Sequence, residues 1–278
     1  MNTKIVRYIL CRMLGVEAAL LLVPVLVAVI YQEKCGIVFL IPIVILCLLF
    51  WVAGRKRPEH GQIYGKEGMV IVALAWILWS LFGAMPFTLS GYIPSYVDAF
   101  FETVSGFTTT GSSIIPDVEV LPHCLLFWRS FTHWIGGMGV LVFVLVVTSL
   151  DRKNSMHLMR AEVPGPEKDK LVPKAMSTAR ILYGMYLTLT VIEMVFLVIG
   201  GMNLFDSMIF SFGSAGTGGF SNYADSVAHF NSAYIDGVIT VFCALFGVNF
   251  ALFYFMILGD FKSILKNEEL RTYILLIA

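Results

Sequence analysis

Two short runs of small and hydroxyl-bearing residues decide what chemistry this chain can carry. One is Ser105-Gly106-Phe107-Thr108-Thr109-Thr110-Gly111-Ser112-Ser113; the other spans residues 213–221 and centres on Gly216-Thr217-Gly218-Gly219. Neither run places a nucleophile beside a base, and neither holds His, Cys, Asp or Glu at a metal-gripping spacing. What they offer is backbone. Each run lies between long apolar segments, too polar to cross lipid and too short for a loop domain, so it reads as a turn that enters and leaves a membrane on one side. Irregular backbone survives at that depth only inside protein or against water. Successive carbonyls along an axis can hold a cation there, because their dipoles replace its hydration shell.

The runs are copies of one another. Asp98 and Asp206, Gly111 and Gly219, Ser113 and Ser221, Asp117 and Asp225, and Gly139 and Gly247 each stand 108 residues apart, and an internal repeat governs every later assignment. Gly216, Gly218 and Gly219 compete for the key position in the second run; the spacing from Asp98 to Gly111 recurs from Asp206 to Gly219 and selects the last. The candidate ion-binding residues are therefore Thr109, Thr110 and Gly111 with Thr217, Gly218 and Gly219. The carbonyls of Thr109, Thr110, Thr217 and Gly218 are the ligands, and Gly111 and Gly219 supply the positive φ that turns a carbonyl to the axis.

Charged and polar residues inside apolar segments come next. Arg129 in a span costs at least a few kcal/mol unless paired or near water. It lies about two turns from the outer end, and Glu102 or a loop carbonyl could satisfy it, either as pore electrostatics or as a salt bridge outside the ion path. His133 reads as a packed, hydrogen-bonded core residue ahead of a ligand or proton carrier. Gly136, Gly137 and Gly139 read as sites of close helix contact. Glu193 falls near an outer end with water in reach, and Asn249 reads as an interhelical hydrogen-bond donor.

Positioning the loops takes helices on both sides. Residues 68–89 are long enough to cross the ~30 Å hydrocarbon core, residues 96–104 form a short pore helix, and residues 121–150 return. A helix C-terminus carries roughly half a negative charge, which favours a cation where each pore helix ends. The second copy repeats the order over 175–200, 204–212 and 232–258. An N-terminal pair, 13–30 and 37–52 with a turn at 31–35, has no counterpart. The division is a two-helix addition at 1–60, a first helix/pore-loop/helix unit at 61–150, a cytoplasmic connector at 151–173, a second unit at 174–260 and the start of a truncated third at 261–278. The fold class is an all-α polytopic membrane protein. Each unit crosses fully twice, so the units share one orientation. Inverted transporter repeats need an odd number of crossings, which leaves a rocking secondary transporter for another monovalent cation as the alternative.

Composition agrees with that class. Hydrophobic residues make up 58% of the chain and charged residues 14%, about half the charge of soluble domains. Formal net charge is zero, which gives no reason to expect nucleic acid. Lys and Arg gather at 4–12, 55–66, 152–180 and 262–271, with Lys34 and Arg129 as exceptions. The positive-inside rule makes those four segments, and the N-terminus, cytoplasmic. Five cysteines form no C-x-x-C pair, so no metal site other than the transported ion and no required disulfide is expected. No GxxxxGK or HExxH is present, and no enzyme is expected.

The runs SGFTTTGSS, FWRSFTHWIGGMGV (Phe127 to Val140) and GTGGFSN resemble the membrane subunit of Trk-type potassium transporters, within the wider Trk, Ktr and HKT superfamily. The likeness extends over nearly the whole chain. It implies four linked units descended from the potassium-channel pore, one filter glycine per unit, and potassium uptake across the inner membrane of a bacterium or archaeon. A glycine in the first filter, here Gly111, goes in that family with potassium over sodium. The resemblance also implies a homodimer embedded in lipid, a cytosolic nucleotide-binding regulatory subunit of the TrkA type, potassium as the substrate and no cofactor. Symport with an ion gradient and simple electrodiffusion are both compatible with it.

Overall fold

The computed structural model describes residues 2–55, 65–139, 175–257 and 259–277, and its regular elements there are all helical. Among the described residues, Thr3–Ile30, Lys34–Gly54, Lys66–Leu89 and Ile181–Ile199 are long and apolar enough to cross a membrane. Ala233–Phe246 and Phe250–Met256, bent by 90°, make a fifth if taken as one span. Large apolar side chains such as Leu26, Val29, Ile37, Val44 and Val52 stand exposed on the N-terminal pair, as expected where lipid is the solvent. The connector at 151–173 and the far half of the first returning segment, 140–150, lie outside the described residues.

The N-terminal pair differs from its expected bounds. The first helix begins at Thr3, where the Asn2 side chain caps it by accepting from the Ile5 amide, so Lys4, Arg7 and Arg12 ride on the helix itself. It breaks at Leu21 and resumes as Leu22–Ile30. Pro24, which brings no N–H to the ladder, explains the break. The second span is a 3-10 turn at Lys34–Phe39, an α-helix at Leu40–Leu49 and a π turn at Phe50–Gly54.

In the first unit, Gly65–Leu89 is the outward helix, Tyr96–Phe107 the short helix and His123–Gly137 the returning helix. In the second, Ala175–Ile199 runs outward and Leu204–Ala215 is the short helix. Both short helices run three residues past their expected ends, so Ser105 to Phe107 and Gly213 to Ala215 are helical, not loop. Glycine permits this for a packing reason. A Cβ on Gly106 would strike the Thr132 hydroxyl, and one on Gly213 would come within 2.7 Å of the Phe220 carbonyl oxygen. The second returning segment is two helices, Ala233–Phe246 and Phe250–Ile257, not one. Asn249 sits at the break, where its side-chain oxygen accepts from the Ala251 amide and its amide donates to Glu269 at 3.0 Å on the helix Glu268–Ile277. The interhelical bond exists, and it spans a corner rather than two parallel spans.

The returning helix of the first unit is the axle of the molecule. Every residue from Cys124 to Ile135 is buried, as a helix enclosed on all sides must be. Trp128 donates to the Gly83 carbonyl of the first outward helix at 2.9 Å and lies edge-on to Phe107 at the end of the first short helix. One and a half turns on, Trp134 donates to Thr190 at 3.1 Å, and the Tyr186 hydroxyl donates to the Trp134 carbonyl at 2.8 Å, which fastens the same helix to the outward helix of the second unit.

Candidate functional site

The 108-residue offset recurs in backbone detail. Ser95 and Asn203 cap the short helices by accepting from Asp98 and Asp206 amides three residues on. At the other end the Thr108, Thr109 and Thr110 amides donate to the Val104, Gly106 and Ser105 carbonyls. The Gly216, Thr217 and Gly218 amides donate to Phe212, Ser214 and Gly213 in the same pattern. Thr109 and Thr217 take φ of 55° and 54°, and Gly111 and Gly219 take 75° and 80°. Glycine accepts that region freely; a β-branched threonine does not. Each loop thus leaves its helix through a strained threonine, one ordinary residue and a glycine.

The loops touch. A Cβ on Gly111 would collide with the Gly218 carbonyl, so that carbonyl is directed at the first loop. A Cβ on Gly218 would collide with the His133 ring and come within 2.7 Å of the Thr109 carbonyl oxygen. The structure therefore brings Thr109, Gly111 and Gly218 together. The Thr110 hydroxyl pairs with that of Thr108 at 2.8 Å. Thr217 is exposed, and Thr109 and Gly111 are half-buried.

One face of the returning helix wedges between the loops, at the i, i+3, i+4, i+7, i+8 spacing of a helical stripe. Arg129 donates through Nε to Glu102 at 2.6 Å and through a terminal nitrogen to the Ser221 carbonyl at 2.9 Å, with its guanidinium 3.7 Å above the Phe220 ring. Thr132 fills the notch at Gly106. His133, fully buried, lies against Gly216 and Gly218 and edge-on to Phe220 at 4.5 Å. Gly136 admits the Phe107 carbonyl, and Gly137 admits Tyr186 and the Ala215 and Gly216 backbone. The three helix glycines were expected at close contacts, and Gly136 and Gly137 make them with backbone at the ends of the short helices; Gly139 follows the helix end at φ 74°. Arg129 is 3% exposed. It is satisfied by Glu102 and Ser221 rather than by outside water. His133 is packed as expected, with its ring beside the Thr109 backbone, although neither nitrogen makes a well-aligned hydrogen bond there.

Carboxylates staple the chain beyond each loop. Glu102 accepts from the Ser113 hydroxyl at 3.0 Å and the Ile114 amide at 2.9 Å. In the second unit the equivalent work falls to Asp206, which accepts from Asn203 and Asn222 at 2.7 Å and from the Tyr223 hydroxyl at 2.9 Å. Glu119 reaches across to accept from the Ala224 amide at 3.1 Å. Glu33, in the turn of the N-terminal pair, accepts from the His123 amide at 2.7 Å and the Cys124 amide at 3.0 Å, capping the returning helix from another element. Burial pushes the Glu33 carboxyl up, but these donors and the His123 ring outweigh it and hold the group below its ordinary value. Glu193 is fully buried against Ser214, not near outside water. Sequence reasoning missed Glu33, Asp206 and Phe220 as site-holding residues. The offset of 108 pairs Phe220 with Ser112 and Asp206 with the half-buried Asp98, so the repeat did not mark them as residues that hold the loops.

The chain was compared with known proteins. The family profile named TrkH, described as a cation transport protein, matches residues 36–277. The Trk system potassium uptake protein TrkH of Escherichia coli strain K12 is 35% identical over 261 residues, which covers 91% of this chain and 53% of that protein. The potassium uptake protein TrkG of the same organism is 35% identical over 283 residues, 99% of this chain and 58% of its own length. The crystal structure of the potassium transporter TrkH from Vibrio parahaemolyticus superposes with a TM-score of 0.77 at 30% identity, over 91% of this chain and 52% of that one. The chain spans about half the length of the curated relatives it matches.

Proposed function

The chain belongs to the TrkH family of cation transport proteins, and from that premise we propose that it forms part of a potassium uptake pathway across the cytoplasmic membrane. The observation that carries the reading is the pair of loops with matching left-handed residues, Thr109 with Gly111 and Thr217 with Gly219, each at the C-terminus of a short helix. The negative helix ends favour a cation between them. The loop carbonyls from Thr109 to Gly111 and from Thr217 to Gly219 are the proposed ligands, in a channel-like filter with one essential glycine per unit. Glu102 and Arg129 hold the loops from behind. Their charges are fixed on each other, which assigns them to support rather than to direct ion contact.

The division into an N-terminal pair and two helix–loop–helix units joined by a connector is part of the same proposal. So are the cytoplasmic N-terminus, which the clustering of basic residues supports, and a homodimeric assembly and a cytosolic nucleotide-binding regulatory subunit, which the sequence resemblance implies. The test is ion uptake into vesicles by the intact transporter that carries these residues. Potassium uptake that Gly111→Ser makes less selective over sodium supports the reading; a substitution at Gly111 and another at Gly219 that both leave selectivity unchanged remove these loops from the ion path.

A further inference from the structure

The His133 ring lies where the two loops meet, beside the Gly216 and Gly218 backbone and the Thr109 backbone, and nothing in the transport reading uses it. It sits four residues after Arg129 on the returning helix, hence on the same face one turn deeper. It has no exposure to solvent. Around it stand the backbone of Gly216 and Gly218, the Thr109 carbonyl beside Gly218, and the ring of Phe220 at 4.5 Å. The ring interacts with the Thr109 backbone, but neither nitrogen makes a well-aligned hydrogen bond, a costly arrangement for a buried polar group.

We propose that His133 is a specificity-determining positioning residue: its imidazole is the spacer that fixes the gap between the Thr109 carbonyl of the first loop and the Gly218 backbone of the second. The inference rests on the reading of these loops as an ion filter. Discrimination between monovalent cations depends on the distance and number of the carbonyls that replace water, and two of the proposed ligands meet at this ring. Arg129 fixes the loops further out, at Ser221, and the Gly136 notch fixes them further in, at Phe107. His133 alone stands at the level of the ligands. A smaller side chain lets the loops approach; a larger one drives them apart. Glutamine, close to histidine in reach and with a polar end, keeps the spacing.

The experiment compares His133→Ala, His133→Phe and His133→Gln with Gly111→Ser in the intact transporter in lipid vesicles, reading initial potassium and sodium uptake on each preparation together with its melting temperature. Ala and Phe are expected to lower the potassium-to-sodium preference by roughly tenfold, equivalent to about 1.4 kcal/mol, with Gln retaining most of it. A residue that merely packs lowers the melting temperature of the Ala and Phe variants and leaves the preference of the surviving protein within about twofold; that result, with Gly111→Ser still losing preference, overturns the spacer role and leaves the filter reading intact. If neither Gly111→Ser nor any His133 variant changes preference, the filter reading itself fails and the inference with it. Should the Ala variant not fold, Phe against Gln carries the comparison, and equal preference in those two overturns the proposal.

Discussion

Arg129 of the first unit donates to the Ser221 carbonyl of the second at 2.9 Å while gripping Glu102 of its own unit at 2.6 Å. Both side chains are shut off from solvent. A buried pair of this kind contributes little net stability over an apolar pair of equal volume, yet losing one partner leaves the other charge stranded, at about 3–5 kcal/mol. Arg129→Met and Glu102→Gln are each expected to lower the melting temperature of the detergent-solubilised protein sharply. The double variant should lose less than the sum. Additive losses would show that the two groups do not act as a pair.

Gly111 and Gly219, the glycines of the two proposed filter loops, should differ in sensitivity. Both hold φ that an L-residue resists, a strain of about 1–2 kcal/mol, but only Gly111 also faces a collision, with the Gly218 carbonyl, while a Cβ on Gly219 meets nothing within 4 Å. Gly111→Ala is therefore expected to damage potassium uptake and stability more than Gly219→Ala. Gly218→Ala, at ordinary φ, should be as harmful as Gly111→Ala because of His133. Side-by-side uptake assays at equal expression decide the ranking, and a more damaging Gly219→Ala would contradict it.

Glu33 gives its clasp on the returning helix a pH dependence of known sign. Its carboxyl is held below its ordinary value of 4.5 once folded, so the ionised form is favoured by the folded state. The stability it confers is complete above that ordinary value and is lost as pH falls through the lowered one. Melting temperature should thus decline on acidification below the ordinary carboxylate range, and Glu33→Gln should be less stable by about 1 kcal/mol at neutral pH, the worth of a helix cap. The variant should also lose part of the acid response. Equal acid responses in the two proteins would mean that the clasp on His123 and Cys124 carries no weight.

Cysteines placed at Asp117 and Asp225 should react with a membrane-impermeant thiol reagent from outside the cell, and one at Lys266 only after permeabilisation, following the clustering of basic residues. Opposite sidedness at Asp117 and Asp225 would break the shared orientation of the two units.

What could be read from the sequence was whatever repeats or follows one-dimensional spacing. The short helices, the left-handed glycines and the second-loop register all sit where the Asp98/Asp206 offset puts them. The Arg129–Glu102 pair was legible because a lone arginine in an apolar segment demands a partner. Contacts between units were not. Nothing in the spacing joins Arg129 to Ser221, Glu119 to Ala224, or Glu33 to His123, since each needs the packing of separate helices before the atoms meet. Helix ends failed for a related reason: Gly106 and Gly213 look like loop residues alone, and only the Thr132 hydroxyl and the Phe220 backbone beside them explain why they stay helical. The corner after Phe246 was invisible too, because residues 232–258 are apolar throughout apart from scattered polar groups, and apolar pattern cannot distinguish one long helix from two short ones.

Thr109 and Thr217 carry a consequence for the order in which the molecule matures. A β-branched residue in the left-handed region stores about 1–3 kcal/mol and keeps that conformation only when its surroundings over-determine it. Those surroundings are the docked returning helix and the opposite loop, which must already be in place. The loops should therefore be the last parts to set. A newly inserted chain is expected to pass through a stage in which its helices are packed while both threonine turns are still relaxed, so that the Thr109 and Thr217 amides, which donate to the Gly106 and Ser214 carbonyls once folded, exchange with solvent early after synthesis and become protected together. Protection of either site before the returning helix is fastened to Gly83 and Thr190 would rule this sequence of events out.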